Sequence, residues 1–314
     1  MGNRPAYCRA RLVRSSVFCF FTGAPGGSPA PFPACRTAGG QKAVQLRFAP
    51  IFGGIMPKQK KIIAAGPLRA EVLYSVPDRR QPEQQRAARC RASTEAQRLL
   101  NMKHSRVRLE FLLAANFSNK DLFVTLSFSD NSLPATRESC RRFVKAFFRG
   151  LRAQRRKRNL PALRYVYAIE NKHGDGRFHV HIVLDGTGPR DLEDIASLWT
   201  FGGADVQRLG AHFWDDNAGT VSFEKISRYM CKERMDPGLV GAQGWTPSKN
   251  LARPAVSSQR VPDSEKLDPP PAAVLLERRE EINAFGEFYF LKYAAPPRAA
   301  GDRARRENRP RPGP

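Results

Sequence analysis

Two histidines separated by a single residue lie in a short apolar run, "RFHVHIVL", at residues 177–184. Side chains alternate between the two faces of a strand, so His179 and His181 share one face while the larger apolar side chains share the other. Two imidazoles side by side are common metal-ligand geometry, although such a pair alone is as often structural. The run therefore predicts a strand with one packed face and one face that can bind a metal.

A carboxylate on the preceding strand can complete this site. Glu170 ends the run "LRYVYAIE", residues 163–170, and the turn "NKHGDG" leads back into the histidine strand as a hairpin. Glu170 shares the histidine face only if paired positions in the hairpin add up to an odd number. Glu170, His179 and His181 would then offer a site with open coordination positions, suited to a divalent cation such as Mg²⁺ or Mn²⁺, with zinc as the alternative.

A tyrosine and a lysine form the second chemical element, in "YMCK". Tyr229 and Lys232 are three residues apart, so they are neighbours on one face of a helix. A tyrosine can attack phosphorus when a nearby cation stabilises its phenolate character. The alternative is that Tyr229 anchors the helix to the sheet and Lys232 is a solvated cation at the helix end.

The surrounding patterns predict the elements that must position these residues. A helix capped near Thr94, with Gln97 completing a capping box, leads into the core. Alternating or continuous apolar runs predict four strands, and apolar residues at helical spacing predict three helices between and after them. The strands are 122–128, 163–170, 177–184 and 202–209, and the helices are 136–159, 191–199 and 221–233. This order predicts an α+β fold with a ferredoxin-like (split βαβ) antiparallel sheet and helices on one face.

Composition shifts divide the chain into five segments. We expect a disordered N-terminal extension over 1–55, a basic segment with a helix over 56–121, and the catalytic core over 122–236. The segment 237–295 is expected to contain proline-punctuated loops and one late strand in "FGEFYFLKY", and 296–314 a disordered basic tail. Met56, which opens "MPKQKKII", would serve equally well as the first residue.

The charge balance identifies nucleic acid as the expected partner. The chain has 53 lysines and arginines against 29 acids, a formal charge of +24, which is larger than a solubilising excess requires. Its six cysteines show no CxxC pair or regular spacing, which favours a reducing, cytoplasmic compartment. No apolar run approaches the length of a membrane span, so no membrane association is expected.

The helix over 136–159 carries the densest group of basic residues. We expect these side chains to contact phosphates, which positions DNA without reading its sequence, and the alternative is a solvated helix face. The candidates are Arg141, Arg142, Lys145, Arg149, Arg152, Arg155 and Arg156.

Taken together and in this order, "FVTLSF", Glu170 with "HVH", and "YMCK" resemble the rolling-circle replication initiators of the HUH endonuclease superfamily. Further stretches, among them "SLWTFGG" and "FGEFYFLKY", resemble the replication-associated proteins of bacterial phages and mobile elements. The resemblance makes His179, His181 and Glu170 metal ligands, Tyr229 the nucleophile, and Lys232 a residue that orients the metal or the phosphate. It implies a metal-dependent endonuclease that nicks and closes DNA, leaving a 5′-phosphotyrosyl enzyme and a free 3′-hydroxyl primer.

The implied partners are single-stranded DNA or an origin hairpin, with a host helicase and polymerase. Two alternatives remain: a single-tyrosine transposase or relaxase with the same chemistry, and a non-catalytic module that binds single-stranded nucleic acid. The nicking hypothesis carries a geometric condition. Glu170, His179 and His181 must lie on one sheet face, and the sheet must not separate Tyr229 from them.

Overall fold

The computed structural model describes residues 57–76, 95–171, 177–231, 244–283 and 286–295, to which all structural statements refer. Within them the chain forms twelve strands and five α-helices, together with a 3₁₀ turn at Asp130–Ser132. In chain order these are β1 Lys58–Ala65, β2 Leu68–Ser75, α1 Glu95–Asn116, β3 Leu122–Ser127, α2 Arg137–Lys157, β4 Tyr165–Glu170, β5 His179–Leu184, α3 Asp191–Leu198, β6 Ala204–Arg208, α4 Leu209–His212, β7 Trp214–Asp215, β8 Thr220–Val221, α5 Phe223–Met230, β9 Thr246–Pro247, β10 Ala255–Val261, β11 Val274–Asn283 and β12 Gly286–Ala294.

The strands predicted around the histidines form one antiparallel sheet, here called the central sheet, in the order β6-β3-β5-β4-β9. Helix α2 connects β3 to β4 and helix α3 connects β5 to β6, and in each case another strand lies between the two connected strands. This is the split βαβ arrangement. The α+β prediction is confirmed.

One face of the central sheet carries the main hydrophobic core. Alternate residues of β3, β4 and β5, such as Val124 and Ile182, pack against the apolar stripe of α2 and against Ile195 and Trp199. Helix α2 begins with a capping box, in which Thr136 and Ser139 satisfy each other's backbone N–H groups. The core therefore fixes which face of each strand remains for the site.

The opposite face of the central sheet is also covered in part by a helix. The ring of Tyr229, on α5, lies against His181, and α5 packs on α1. The prediction that the helices lie on one face is wrong in this respect. Helices α2 and α3 cover the core face, whereas α5 approaches the face that bears the histidines.

A second five-stranded antiparallel sheet, the outer sheet, has the order β10-β1-β2-β12-β11. The late strand expected in "FGEFYFLKY" is present as β12. The other four strands were not predicted, since the sequence analysis placed only a helix in 56–121 and loops in the rest of 237–295. Strands β1 and β2 thus pair with strands that lie about two hundred residues later in the chain, as in Ile63↔Val256 and Val72↔Phe290.

A buried lysine links the outer sheet to the helices of the central sheet. Lys292 on β12 is only 4% exposed, and its Nζ lies 3.1 Å from Glu110 on α1 and 3.3 Å from Glu224 on α5. Glu277 on the neighbouring strand β11 lies 3.4 Å away. Burial lowers the pKa of Lys292, but the surrounding carboxylates outweigh burial and raise it. One cation thus connects four elements.

Several expectations concern residues outside the described ranges. These are the disordered segments 1–55 and 296–314, the helix cap at Thr94 and the position of Lys232. Among the helices that are described, none combines the length and the apolar character needed to cross a lipid bilayer.

Candidate metal and nucleophile site

The hairpin of β4 and β5 brings Glu170 and both histidines to one face of the central sheet. Glu170 pairs directly with His179, and Ala168 pairs with His181. The paired positions add up to an odd number, as the register condition requires, so the shared face is confirmed. We call this side of the central sheet the histidine face.

His181 and Glu170 contact each other directly. His181 Nε2 lies 2.6 Å from Glu170 Oε2, and the two residues are only 3% and 9% exposed. The other ring nitrogen, Nδ1, lies 3.3 Å from the hydroxyl of Thr125 on β3. Both ring nitrogens therefore have polar partners, which fixes the ring plane.

The donor set fits a divalent cation. Two imidazoles and a carboxylate suit Mn²⁺ or zinc, and the carboxylate suits Mg²⁺. Thr125 could accept a hydrogen bond from Nδ1–H of His181 and so direct the lone pair of Nε2 toward a metal, as supporting groups commonly do for metal-bound histidines. Within the described residues, however, no three His, Cys, Asp or Glu side chains are already gathered as metal ligands. The hydrogen bond between His181 and Glu170 closes the space between these two donors.

Tyr229 lies on the same side of the central sheet as the histidines. Its ring centroid is 4.8 Å from that of His181 and 5.8 Å from that of Phe123, both in edge-to-face geometry. Burial and the negative charge of Glu170 raise the pKa of the Tyr229 hydroxyl. Tyr229 is therefore a neutral phenol at pH 7 in this arrangement, and the sheet does not separate it from Glu170 and His181.

The sequence of α5 explains why Tyr229 faces the site. Phe223, Ile226 and Met230 are buried and recur at helical spacing. Tyr229 is only half-buried and lies beside this apolar stripe. The short helix thus packs through its apolar residues and holds the tyrosine at the edge of the contact, against His181.

Sequence reasoning missed two residues that shape the site, Phe123 and Thr125 on β3. The ring of Phe123 is stacked on His181 at a centroid distance of 6.0 Å, and Thr125 contacts the same imidazole. Both pair with β5 on the histidine face. Strand alternation in "FVTLSF" could have identified them, because Val124 and Leu126, which alternate with them along β3, are core residues.

The basic residues of α2 lie away from this site. Helix α2 packs on the core face of the central sheet, so its solvent-exposed side is separated from the histidine face by the sheet itself. Arg142, Lys145, Arg149, Arg152 and Arg156 are exposed, and Arg141 is paired with Glu138. They remain candidates for phosphate contact but are not part of the site around His181.

Arg155 is not a DNA-binding candidate, and this part of the prediction is wrong. It is 5% exposed, and its guanidinium lies 2.8 Å from the carboxylate of Asp185. It also donates to the backbone oxygen of Asp185. A phosphate cannot reach this cation without breaking a buried ion pair.

Residues 121–234 match the family model described as Replication-associated protein ORF2/G2P. The match spans 114 of the 314 residues, from the residue before β3 to just beyond α5. It includes Glu170, both histidines, Tyr229 and Lys232. Neither the curated proteins nor the solved structures compared with the chain gave a match. The part of the chain that carries the candidate site is therefore similar to a family of replication-associated proteins, which supports a replication initiator.

Proposed function

We propose that this protein initiates rolling-circle replication by nicking single-stranded DNA through metal-assisted attack of Tyr229 on a phosphodiester. The products are a 5′-phosphotyrosyl enzyme and a free 3′-hydroxyl that can prime a polymerase. The replication-associated family match over the same residues supports the biological setting. The HUH-type chemistry is our proposal for how the site performs that role.

The observation that carries the proposal is the contact of Tyr229 with His181, which is itself hydrogen-bonded to Glu170. A nucleophile and metal ligands must share one pocket, because the same phosphate has to face both. Tyrosine, imidazole and carboxylate converge here from α5, β5 and β4. A purely structural tyrosine would not need to pack against a histidine–carboxylate pair.

Each protein group has a definite task in the reaction. The Tyr229 oxygen forms the new bond to phosphorus as the bond between phosphorus and the 3′ oxygen breaks, and the phenol loses its proton while the leaving 3′ oxygen gains one. Phe123 and His181 hold the phenol ring by edge-to-face contacts. Because the phosphotyrosyl bond conserves the energy of the broken phosphodiester, the same residues can rejoin the strand.

His179, His181 and Glu170 are the residues that would hold a divalent cation. A bound Mg²⁺ or Mn²⁺ would supply electrostatic polarisation of the scissile phosphate. Lys232, three residues after Tyr229, is proposed to assist in orienting the phosphate.

A non-catalytic single-strand-binding module is the less favourable reading of the histidine face. Such a module stacks bases on exposed aromatic side chains of its sheet. The aromatic residue on this face, Phe123, is only 5% exposed and is covered by Phe213 and Tyr229. It leaves no ring surface for a base.

The test is a cleavage assay on labelled single-stranded DNA taken from both sides of the gene. We expect a nick that requires Mn²⁺ or Mg²⁺, is abolished by a chelator and is lost in the His179→Ala variant. The control is Arg253→Ala, which changes an exposed residue distant from β5 in the sequence. This variant should nick DNA like the natural chain. Nicking that persists in excess chelator would contradict the metal-assisted mechanism.

A further inference from the structure

The exposed side of α2 carries a continuous row of cations. Arg142, Lys145, Arg149, Arg152 and Arg156 follow one another at alternating spacings of three and four residues, which places them on one side of a helix. We call this row the basic stripe. At 1.5 Å per residue it is about 21 Å long, and the one acidic residue of α2, Glu138, lies before its start and is paired with Arg141.

Within the described part of the chain, four of these cations are not engaged in an ion pair with the protein. Arg142, Lys145, Arg149 and Arg156 are exposed and have no carboxylate within salt-bridge distance there, whereas neighbouring Arg155 and Arg158 are paired with Asp185 and Asp194. Arg152 donates to the hydroxyl of Tyr165 and stays on the surface. The inward-facing arginines therefore form ion pairs within the protein, whereas the cations of the stripe can bind an external anion.

The basic stripe and the proposed nicking site lie on opposite sides of the central sheet. The inner side of α2, including Val144 and Phe148, packs on the core face, and Tyr229 lies against His181 on the histidine face. A single strand held at Tyr229 cannot also lie along the stripe without passing around the edge of the sheet. The stripe is therefore a separate surface.

We propose that the basic stripe binds the backbone of double-stranded DNA outside the segment that is cut. A straight row of cations on a rigid helix suits a duplex, which is itself stiff and has a high, regular density of phosphates, and such contacts position a protein without reading sequence. The inference rests on the proposed function only in taking DNA, rather than another polyanion, as the partner.

Two other partners fit the stripe less well. A single strand is usually held by exposed aromatic side chains between the cations. The aromatic residues beside the stripe face the protein instead, since Phe143 packs against Phe128 and Phe201, and Tyr165 is buried and stacked on Phe148. An anionic membrane surface is bound by helices whose apolar face is free to enter the lipid. The apolar face of α2 is buried in the protein core.

The test compares two triple variants of the full chain that remove the same charge. Arg142→Ala, Lys145→Ala and Arg149→Ala remove the first three of the five cations of the stripe. Arg253→Ala, Arg260→Ala and Lys266→Ala remove three exposed cations elsewhere. Binding to a 20-base-pair duplex is measured against salt concentration in a chelator, so that no cleavage is needed and failure of the nicking proposal leaves this experiment unaffected. Alanine at exposed helix positions preserves the helix.

We expect the stripe variant to lower the slope of log affinity against log salt by about 2 to 3, and to weaken duplex binding at least about tenfold at 0.1 M salt. The control variant should change the slope by less than about 1. Equal effects of the two variants would show binding by net charge alone and overturn the proposal. It would also be overturned if the stripe variant weakened a ten-nucleotide single strand as much as the duplex, or lost affinity only for anionic lipid vesicles.

Discussion

His181 is the residue on which the candidate site depends most. Its two ring nitrogens face Glu170 and Thr125, and its ring contacts both Phe123 and Tyr229. His179 is half-exposed, two residues earlier on the same strand. The two histidines are therefore equivalent in the sequence motif but have different surroundings in the fold.

This difference predicts different stabilities for two alanine variants. His181→Ala should lower the free energy of unfolding by about 1–3 kcal/mol, since it removes a buried hydrogen bond of Glu170 and opens a space beside Phe123. His179→Ala should change it by less than about 0.5 kcal/mol, although both variants are expected to lose nicking. Urea unfolding at pH 7 measures the comparison. Equal stabilities of the two variants would mean that the His181–Glu170 contact contributes nothing to folding.

The pairing of β4 with β5 could be derived from the sequence because one face is continuously apolar. A shift by one residue would have turned Glu170 into the core beside Val180, so burial selects the observed register. The strands β10 and β11 could not be derived in this way. Their sequences, "AVSSQRV" and "VLLERREEIN", lack a clear apolar alternation and are mostly exposed. Strand β10 forms because the distant strand β1 offers backbone hydrogen bonds, and β11 forms as a hairpin with the more apolar β12.

Helix α2 contains one arginine whose burial follows from the helical pattern. Arg155 continues the buried row of Val144, Phe148 and Leu151 at spacings of three and four residues, so its position on the core side was available from the sequence. It was grouped with the exposed arginines because of its charge. The partner that makes its burial tolerable, Asp185, lies thirty residues later, directly after β5.

Alanine substitution should therefore have effects of very different size at two adjacent arginines of α2. Arg155→Ala removes the closer and more deeply buried of the two arginines paired with Asp185, leaving Arg164 at 3.4 Å, and should cost about 3 kcal/mol of unfolding free energy. Arg156→Ala removes an exposed side chain and should cost less than about 0.5 kcal/mol. Thermal unfolding followed by circular dichroism distinguishes the two variants. A stable Arg155→Ala protein would contradict the buried ion pair.

At the scale of the whole molecule, Lys292 joins the outer sheet to the helix that carries Tyr229. Its three carboxylate partners lie on α1, α5 and β11. The family match covers α5 but neither β12 nor β11. The segments on both sides of the matched region thus contribute to holding α5 in place, a role that no local sequence pattern shows.

The raised pKa of Lys292 predicts how stability depends on alkaline pH. A lysine whose pKa is higher in the folded than in the unfolded state stabilises the fold fully below the unfolded value, about 10.4, and loses that contribution as the pH rises through the folded value. The natural chain should therefore lose stability above about pH 10.4. The Lys292→Met variant should be less stable than the natural chain by about 3–5 kcal/mol at pH 8. As the pH rises above this value, the variant should lose less of its unfolding free energy than the natural chain does. Urea unfolding at pH 8, 10 and 11 provides the measurement. If the unfolding free energy fell equally with pH in the two proteins, this role of Lys292 would be ruled out.

A chain that begins at Met56 should keep both its fold and its nicking activity. The first described strand, β1, begins at Lys58, and every residue of the candidate site follows it. We expect the melting temperature of the shortened chain to lie within about 2 °C of that of the full chain, as for a change of well under 1 kcal/mol. Differential scanning calorimetry and the cleavage assay test this together. Insolubility or inactivity of the shortened chain would show that residues 1–55 have a role in the fold or the reaction.

The most direct test of the account is to locate the covalent bond between protein and DNA. The full chain is incubated with labelled single-stranded DNA from its own locus and Mn²⁺, digested with a protease and examined by mass spectrometry. We expect a 5′-phosphonucleotide attached to the peptide that contains Tyr229, and no adduct from a folded Tyr229→Phe variant. An adduct on another residue, or an undiminished adduct in the Tyr229→Phe variant, would contradict it.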